Sequence, residues 1–394
     1  MNVLLLSEHY SPKISGTVSY VKHLIQSLSQ QNELKLYFLC PVQGKIGELS
    51  ELEENGVHYL NLGVNENALP EYNREERAVL IHYVKENLIR LTELYNINVV
   101  HLLYGLFLGE VIDTNALRAQ GVKSIFTIHN IPPEECSISW EGDRFLNKLK
   151  DDVRKWGVRW INHRRIKAQN FDVYLTPSEQ VKKQLLQLLP RAEVMVSPHG
   201  GAELIKLDDK KEKRKSNKLQ ILTVGGVIPH KRQDWIPEIA AYLKENKIDF
   251  EWKIIGPLRN QAYSEYVKKQ IQQHEVQNEV SLLGAVPFEN LESAYSNADV
   301  YIQLSREEGF CMTVLDAIAY GVPTMATAVG AIPEMLEKVG GIILDSDRKN
   351  IKKVILHYLK IRDAWGLNEE GLNNFRKDYT WASTAVQVAK VYRP

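Results

Sequence analysis

Glu308 and Asp316 are the residues of this chain whose type and spacing point most directly to chemistry. They lie eight positions apart in Ser305–Pro323, SREEGFCMTVLDAIAYGVP, and a Gly-Phe-Cys segment follows Glu308. The preceding run, DVYIQL from Asp299 to Leu304, has strand character, and the residues after Cys311 read as a helix. Strand, tight loop and helix bring backbone N–H groups together on an anion at the helix N-terminus. A carboxylate at the start of such a loop and another inside the helix can accept from hydroxyls on either side of that anion. A sugar, a diphosphate and a ribose have this layout. Without its flanks, the loop is equally an ordinary strand-to-helix connection with a solvated glutamate.

Other residues carry weaker signals. His129 ends SIFTIHN at the carboxyl end of a strand, the edge at which α/β folds bind ligands, although a lone histidine is often a structural one. His101, in VVHLL, stands near a strand end and is the lesser candidate. Gly16, in SPKISGTVSY, would let the backbone approach a ligand closely. Lys231 lies in LTVGGVIPHKRQD, downstream of Gly225 and Gly226, where an exposed lysine is the default. Leu282–Ala298, LLGAVPFENLESAYSNA, reads as strand, turn and helix, with Glu289 favoured in the first turn by the helix dipole. Residues 144–167 are rich in Lys and Arg with Trp156 and Trp160 interleaved. Such a helix either packs its tryptophans inward or docks on an anionic membrane.

The pattern E-G-F-x-x-x-x-x-D, then A-x-x-x-G-V-P, resembles the E-x7-E signature of retaining GT-B glycosyltransferases, the family 4-like, group 1 enzymes that use nucleotide diphosphosugars. The likeness spans nearly the whole chain, strongly over Leu219–Ala328 and loosely before residue 200. The tail Phe375–Tyr392, FRKDYTWASTAVQVAKVY, resembles the family's final Tyr-x-Trp helix, which crosses back onto the first domain. The resemblance implies catalytic roles for Glu308 and His129 at the donor sugar and for Lys231 at the diphosphate, where a cation offsets the charge of the leaving group. It implies donor binding by Gly16, Gly225, Gly226, by the backbone near Ala285 and Val286 as nucleobase wall, by the amides of Gly309, Phe310, Cys311, Met312 and Thr313, and by Asp316 at the ribose. The chain departs from the family at three positions. Ser15 replaces the first glycine of a Gly-Gly pair. Gly226 replaces an arginine, with His230 and Arg232 as neighbours able to supply charge. Asp316 replaces a glutamate one methylene longer, and still accepts from a diol.

The elements that must position these residues follow from the apolar pattern. Val3–Leu6, Leu34–Leu39, Val99–Leu103, Ser124–Ile128 and Val173–Thr176 read as strands alternating with amphipathic helices such as Val18–Leu28 and Ala78–Tyr95. A second series of strands runs from Ile221–Val224 through Glu251–Ile255, Val280–Leu283, Val300–Leu304 and Thr324–Ala326 to Gly341–Leu344. The fold class is therefore α/β, with two Rossmann-like domains facing a central cleft. The expected boundaries are 1–205 for an N-terminal acceptor domain, 206–218 for a charged linker containing DDKKEKRKSN, 219–374 for a C-terminal donor domain, and 375–394 for the crossover helix.

Composition removes several function classes. At 394 residues the chain suits two domains, and its 49 basic and 49 acidic side chains leave no global field that would favour nucleic acid. Cys40, Cys136 and Cys311 form neither a zinc spacing nor a disulfide framework, which suits a reducing compartment. The N-terminus lacks the features of a signal peptide, and the apolar stretch Val99–Gly109 is too short to span a bilayer. A cytoplasmic protein is expected, with 144–167 as the segment able to hold it at the inner face of a membrane. No Asp-x-Asp motif is convincingly placed, so neither metal nor cofactor is expected. The absence of G-x-G-x-x-G after the first strand counts against a nicotinamide or flavin oxidoreductase. The expected activity is retaining transfer of a sugar from a nucleotide diphosphosugar to a sugar, lipid-linked or other hydroxyl acceptor. The alternative is a non-catalytic sugar-nucleotide-binding scaffold of a polysaccharide assembly system, which the changes at Gly226 and Asp316 favour.

Overall fold

The computed structural model describes residues 1–8, 16–64, 74–131, 145–202, 218–361 and 365–393, with the backbone alone at 74–76 and 145–156. Residues 206–217 of the expected linker, Ser11–Ser15 of the first loop and the side chain of Trp156 lie outside this description. The chain divides into two compact units: Met1–Ile131, Val158–Gly200 and Thr380–Pro394 form one, and residues 145–157 with Gly201–Tyr379 belong to the other, so the helix Phe145–Ala168 is shared between them.

The first unit runs β1 (Asn2–Ser7), α1 (Gly16–Leu28), β2 (Lys35–Gln43), β3 (Leu49–Glu54), β4 (Val57–Val64), α2 (Arg74–Leu94), β5 (Val99–Tyr104), α3 (Leu106–Val111), α4 (Thr114–Ala119), β6 (Lys123–Thr127), the part of α5 (Phe145–Ala168) from Val158 onward, β7 (Val173–Thr176), α6 (Glu179–Leu188) and β8 (Val194–Val196). Its sheet has the order β3-β4-β2-β1-β5-β6-β7-β8. Val3, Leu4, Leu5 and Leu6 are all fully buried, as a parallel strand covered on both faces requires. The pairing is parallel except at one edge, where β3 runs antiparallel to β4. Asn55 and Gly56 between them take left-handed φ values of 51° and 76°, the two positive angles of a tight hairpin. β3 reads LSELEE and is almost wholly exposed, so it lacks the apolar alternation that marks a strand, while its acids blunt a free sheet edge.

The second unit runs β9 (Leu219–Val224), α7 (Ile236–Glu245), β10 (Phe250–Ile255), α8 (Gln261–Gln273), β11 (Val280–Gly284), α9 (Phe288–Asn297), β12 (Val300–Gln303), α10 (Met312–Ala319), β13 (Thr324–Thr327), α11 (Ile332–Val339), β14 (Ile342–Leu344), α12 (Arg348–Lys360) and α13 (Glu369–Asp378). Its six parallel strands have the order β11-β10-β9-β12-β13-β14. Leu219 and Ile221 of β9 join one core with Ile239 of α7, Val267 of α8 and Ile355 of α12. Leu222 and Val224, on the opposite face, join a second core with Val314 and Ile318 of α10, Leu336 of α11 and Phe375 of α13. Strand order reverses between β9 and β12, and a crevice at their carboxyl ends is where an open α/β sheet takes a ligand.

The expected single helix from 375 is two helices. α13 ends at Asp378 with Phe375 in the second unit's core, and Thr380 then caps α14 (Trp381–Tyr392) by accepting from Ser383 N at 3.0 Å. α14 packs on α1 in the first unit. Trp381 is buried there beside Tyr20, His23 and His199, and the Tyr392 hydroxyl meets His101 Nδ1 at 2.8 Å.

Candidate active site

The loops after β9 and β12 meet at the switch point of the second unit. After β9 the chain passes Gly225 and Gly226 and makes a 3-10 turn, Pro229–Lys231. After β12 it passes Ser305 and reaches Glu308. The Arg306 amide donates to His230 O at 2.7 Å, which ties the two loops together. The Lys231 ammonium is ion-paired and hydrogen-bonded to Glu308 Oε1, with side-chain exposures of 14% and 10%. A buried chain of donors supports the carboxylate from below. Tyr301 OH donates to Gln303 Oε1 at 3.0 Å, Gln303 Nε2 to Ser305 Oγ at 2.7 Å, and Ser305 Oγ to Glu308 Oε1 at 2.7 Å. Gly330, at φ 59°, lets the loop after β13 lie against this segment, since a Cβ there would come within 2.5 Å of Glu308 O.

Burial opposes both charges of the pair, and each partner overrides it for the other. Glu308 loses hydration, but Lys231 and the Ser305 hydrogen bond hold it below the usual carboxylate range. Lys231 is likewise dehydrated, and Glu308 holds it above the usual lysine value. His230 is pushed down by burial and then by Lys231, so it rests neutral.

α10 begins at this loop. Its cap residue Cys311 takes a left-handed φ of 75°, and no side chain caps the first turn. The first-turn amides are thus presented without a side-chain acceptor, the arrangement that suits an anion. Burial, then Glu308, pushes the Cys311 thiol up to about 12, so it is protonated. The Sγ lies 3.6 Å from Thr313 Oγ1. Gly309 and Phe310 lead into the cap, with Phe310 buried 6.1 Å from Tyr379, and Met312 opens the helix. Asp316 lies one turn further along, where burial pushes its carboxyl up to about 7. Val286 lines a cavity of about 550 Å³ with Leu222, Ile255, Leu283 and Asn290, between the sheet and α9.

The family model described as Glycosyltransferase Family 4 matches residues 14–200, and that described as Glycosyl transferases group 1 matches residues 205–370. The chain belongs to the GT-B glycosyltransferases. Sucrose-phosphate synthase from Thermosynechococcus elongatus superposes with a TM-score of 0.76 at 18% identity, covering 100% of this chain and 98% of that one. An Anabaena protein, HepE, solved in complex with UDP, gives 0.68 at 14% identity and 99% coverage of each. Among curated relatives, a phosphatidylinositol N-acetylglucosaminyltransferase component from Arabidopsis thaliana is 29% identical over 122 residues, 31% of this chain and 27% of that protein. The first curated relatives are matched over only 27% to 46% of their own length.

In this GT-B chain the second unit brings together Lys231, Glu308, Gly225, Gly226 and the start of α10, while Gly16 and His129 belong to the first unit. Gly16 is the exposed first residue of α1, and among the described residues nothing lies where a Cβ on it would touch. His129 follows β6. Its Nε2 donates to Leu103 O at 2.8 Å, and burial lowers it to about 4, so the ring is neutral and Nδ1 is a buried acceptor without a hydrogen-bond partner among the described residues. His101 is bonded within the fold, to Tyr392 OH and Thr127 Oγ1 at 2.8 Å each. On α5, Val158, Trp160 and Ile161 are exposed, Trp160 at 54%. Among the described residues, no helix is long and apolar enough to cross a membrane. The support of Glu308 by Gln303 and Ser305 was missed from the sequence. Its signal is a glutamine closing an otherwise apolar strand, VYIQ, and the structure buries it.

Proposed function

We propose that this protein is a retaining glycosyltransferase acting on a nucleotide diphosphosugar, with the second unit binding the donor and the first the acceptor. The buried Lys231–Glu308 pair at the switch point, beside the uncapped start of α10, carries this reading. Lys231 and the α10 amides meet the diphosphate, so the bond from sugar C1 to the phosphate oxygen breaks with its electron pair held by positive charge. The acceptor oxygen bonds to C1 on the same face, and its proton passes to the departing phosphate. Glu308 orients the sugar and stabilises its cationic character rather than attacking it. His129 accepts a substrate hydroxyl at Nδ1, and Asp316 binds the ribose diol. The diphosphate charge is met by the chain's own cations, without a metal.

A lipid-linked acceptor is the favoured class. The Arabidopsis relative's name includes phosphatidylinositol, and the exposed Val158, Trp160 and Ile161 on α5, flanked by Arg159 and Arg164, suit a peripheral site on an anionic inner membrane face. The second reading, a non-catalytic sugar-nucleotide scaffold, draws on Gly226 and Asp316.

The test is donor turnover by purified protein offered UDP-, GDP-, ADP- and dTDP-sugars without added metal, with membrane lipids as acceptors. One donor is expected to be consumed, and Glu308→Gln and Lys231→Ala are each expected to lose at least about a hundredfold in rate while melting as folded proteins. Near-normal transfer by both variants would sink the mechanism. Donor binding with no turnover under any acceptor would favour the scaffold.

A further inference from the structure

A nucleoside diphosphate brings more negative charge than the cations so far placed at the site can meet. Lys231 is already engaged by Glu308. Of the two neighbours that the sequence offered in place of an arginine at 226, neither serves. His230 is neutral. The Arg232 guanidinium stacks on the Trp235 ring at 4.3 Å, from a backbone held left-handed at φ 53°.

The loop after β10 fills the gap. It is fastened to the loop after β9 by Gly225 N donating to Ile255 O and Val227 N to Pro257 O, both at 2.9 Å. Gly256, at φ 152°, sits so close that a Cβ on it would run into the Gly225 carbonyl. Three residues on, exposed Arg259 sends its side chain across Gly226. A Cβ at Gly226 would stand 3.3 Å from Arg259 Cδ and 3.5 Å from Nε. At Gly225 the corresponding point is 3.9 Å from Lys231 Nζ. Two adjacent glycines therefore bare the backbone beneath two cations from different loops. The space that a side chain at 226 would take is the space that Arg259 occupies.

We infer that Arg259 binds the diphosphate of the donor, supplying from the β10–α8 loop the guanidinium that the β9–α7 loop lacks at Gly226. This rests on the donor reading above. A guanidinium can engage two phosphate oxygens at once, which an ammonium cannot do with the same geometry. Gly226 is not in the left-handed region, so an arginine is admissible there once Arg259 is shortened.

Calorimetric titration of UDP, GDP and ADP, each beside its monophosphate, tests this on the wild type, Arg259→Ala, Arg232→Ala and Gly226→Arg/Arg259→Ala. For the nucleotide that binds, Arg259→Ala is expected to weaken the diphosphate roughly ten- to a hundredfold, with the monophosphate affected less and the melting temperature unchanged. The double variant is expected to recover much of the loss, and Arg232→Ala to bind as wild type. Unchanged diphosphate binding by Arg259→Ala, or an equal loss in Arg232→Ala, overturns the assignment and leaves the donor reading standing. An equal loss of mono- and diphosphate without rescue overturns it as well. If the wild type binds none of the three diphosphates and no dTDP either, the donor reading itself fails.

Discussion

Glu308 lies just before α10 and Asp316 one turn inside it, and their surroundings drive these two acids in opposite directions. Glu308 is ionised because Lys231 and Ser305 outweigh its burial. Asp316 has no such compensation, and loss of hydration alone moves it from an ordinary 3.8 to about 7. With its folded value raised, Asp316 contributes most to stability in acid, and that contribution is lost as pH rises through about 7. A ribose diol donating to the ionised carboxylate reverses the balance, so nucleotide affinity is expected to strengthen as pH rises through the same window. Titrations on either side of that value check this, and Asp316→Asn should flatten the profile. A wild-type profile already flat there would remove Asp316 from the ribose. Both acids, Lys231 and the departure at Gly226 were legible in the sequence because each sits at a fixed offset in a recognisable strand-loop-helix pattern. Arg259 was not, since it reaches Gly226 through a fold contact between two loops more than thirty residues apart.

Among the elements, the start of α10 is the most constrained. Cys311 holds a left-handed φ of 75° in a buried position, a conformation that costs an L-residue roughly 1–2 kcal/mol and a β-branched one more. Cys311→Gly relieves this while giving up a small buried side chain, so its stability is expected to stay within about 1 kcal/mol of wild type. Cys311→Val keeps the bulk and worsens the strain, and should lose at least about 2 kcal/mol. Denaturant melts of the two variants decide the matter, and a Val variant as stable as wild type would show that the turn is not fixed. β1, β2, β5, β6, β7 and the strands of the second sheet were legible as apolar runs because parallel strands are covered on both faces, while the three-residue β8 was not. The β3–β4 hairpin was not, although Asn55-Gly56 is a strong turn signal, because LSELEE at an exposed edge carries no apolar face. The break between α13 and α14 was hidden too, since Thr380 reads as a cap only once Phe375 and Trp381 are known to enter different cores.

At the scale of the molecule, the first unit is assembled from separated stretches of chain, and α14 is the piece supplied from beyond the second unit. Trp381 is its main buried anchor, and Thr384 Oγ1 donates to Pro198 O at 2.8 Å. Trp381→Ala is expected to cost the first unit roughly 3–5 kcal/mol. Hydrogen exchange should show the loss in α1 and β5 while Gly201–Tyr379 keeps its protection. Equal loss in both units would mean that they unfold as one. The α/β class and the presence of two such units followed from the sequence. The last helix's place was legible only through family resemblance, because nothing local in WASTAVQVAKVY says which core it will join.

A ribosome makes Met1–Gly200 first and reaches α14 only after all of Gly201–Tyr379, a delay of roughly 10–40 s at ordinary elongation rates. During that interval the nascent first unit has a sheet and α1 but nothing over Tyr20, His23 and His199, so an apolar, histidine-rich face waits uncovered. The unit translated earlier is thus the one completed later. Chaperone capture during synthesis should concentrate on that face, and a premature stop anywhere before residue 380 would leave the first unit unfinished however well the second had folded.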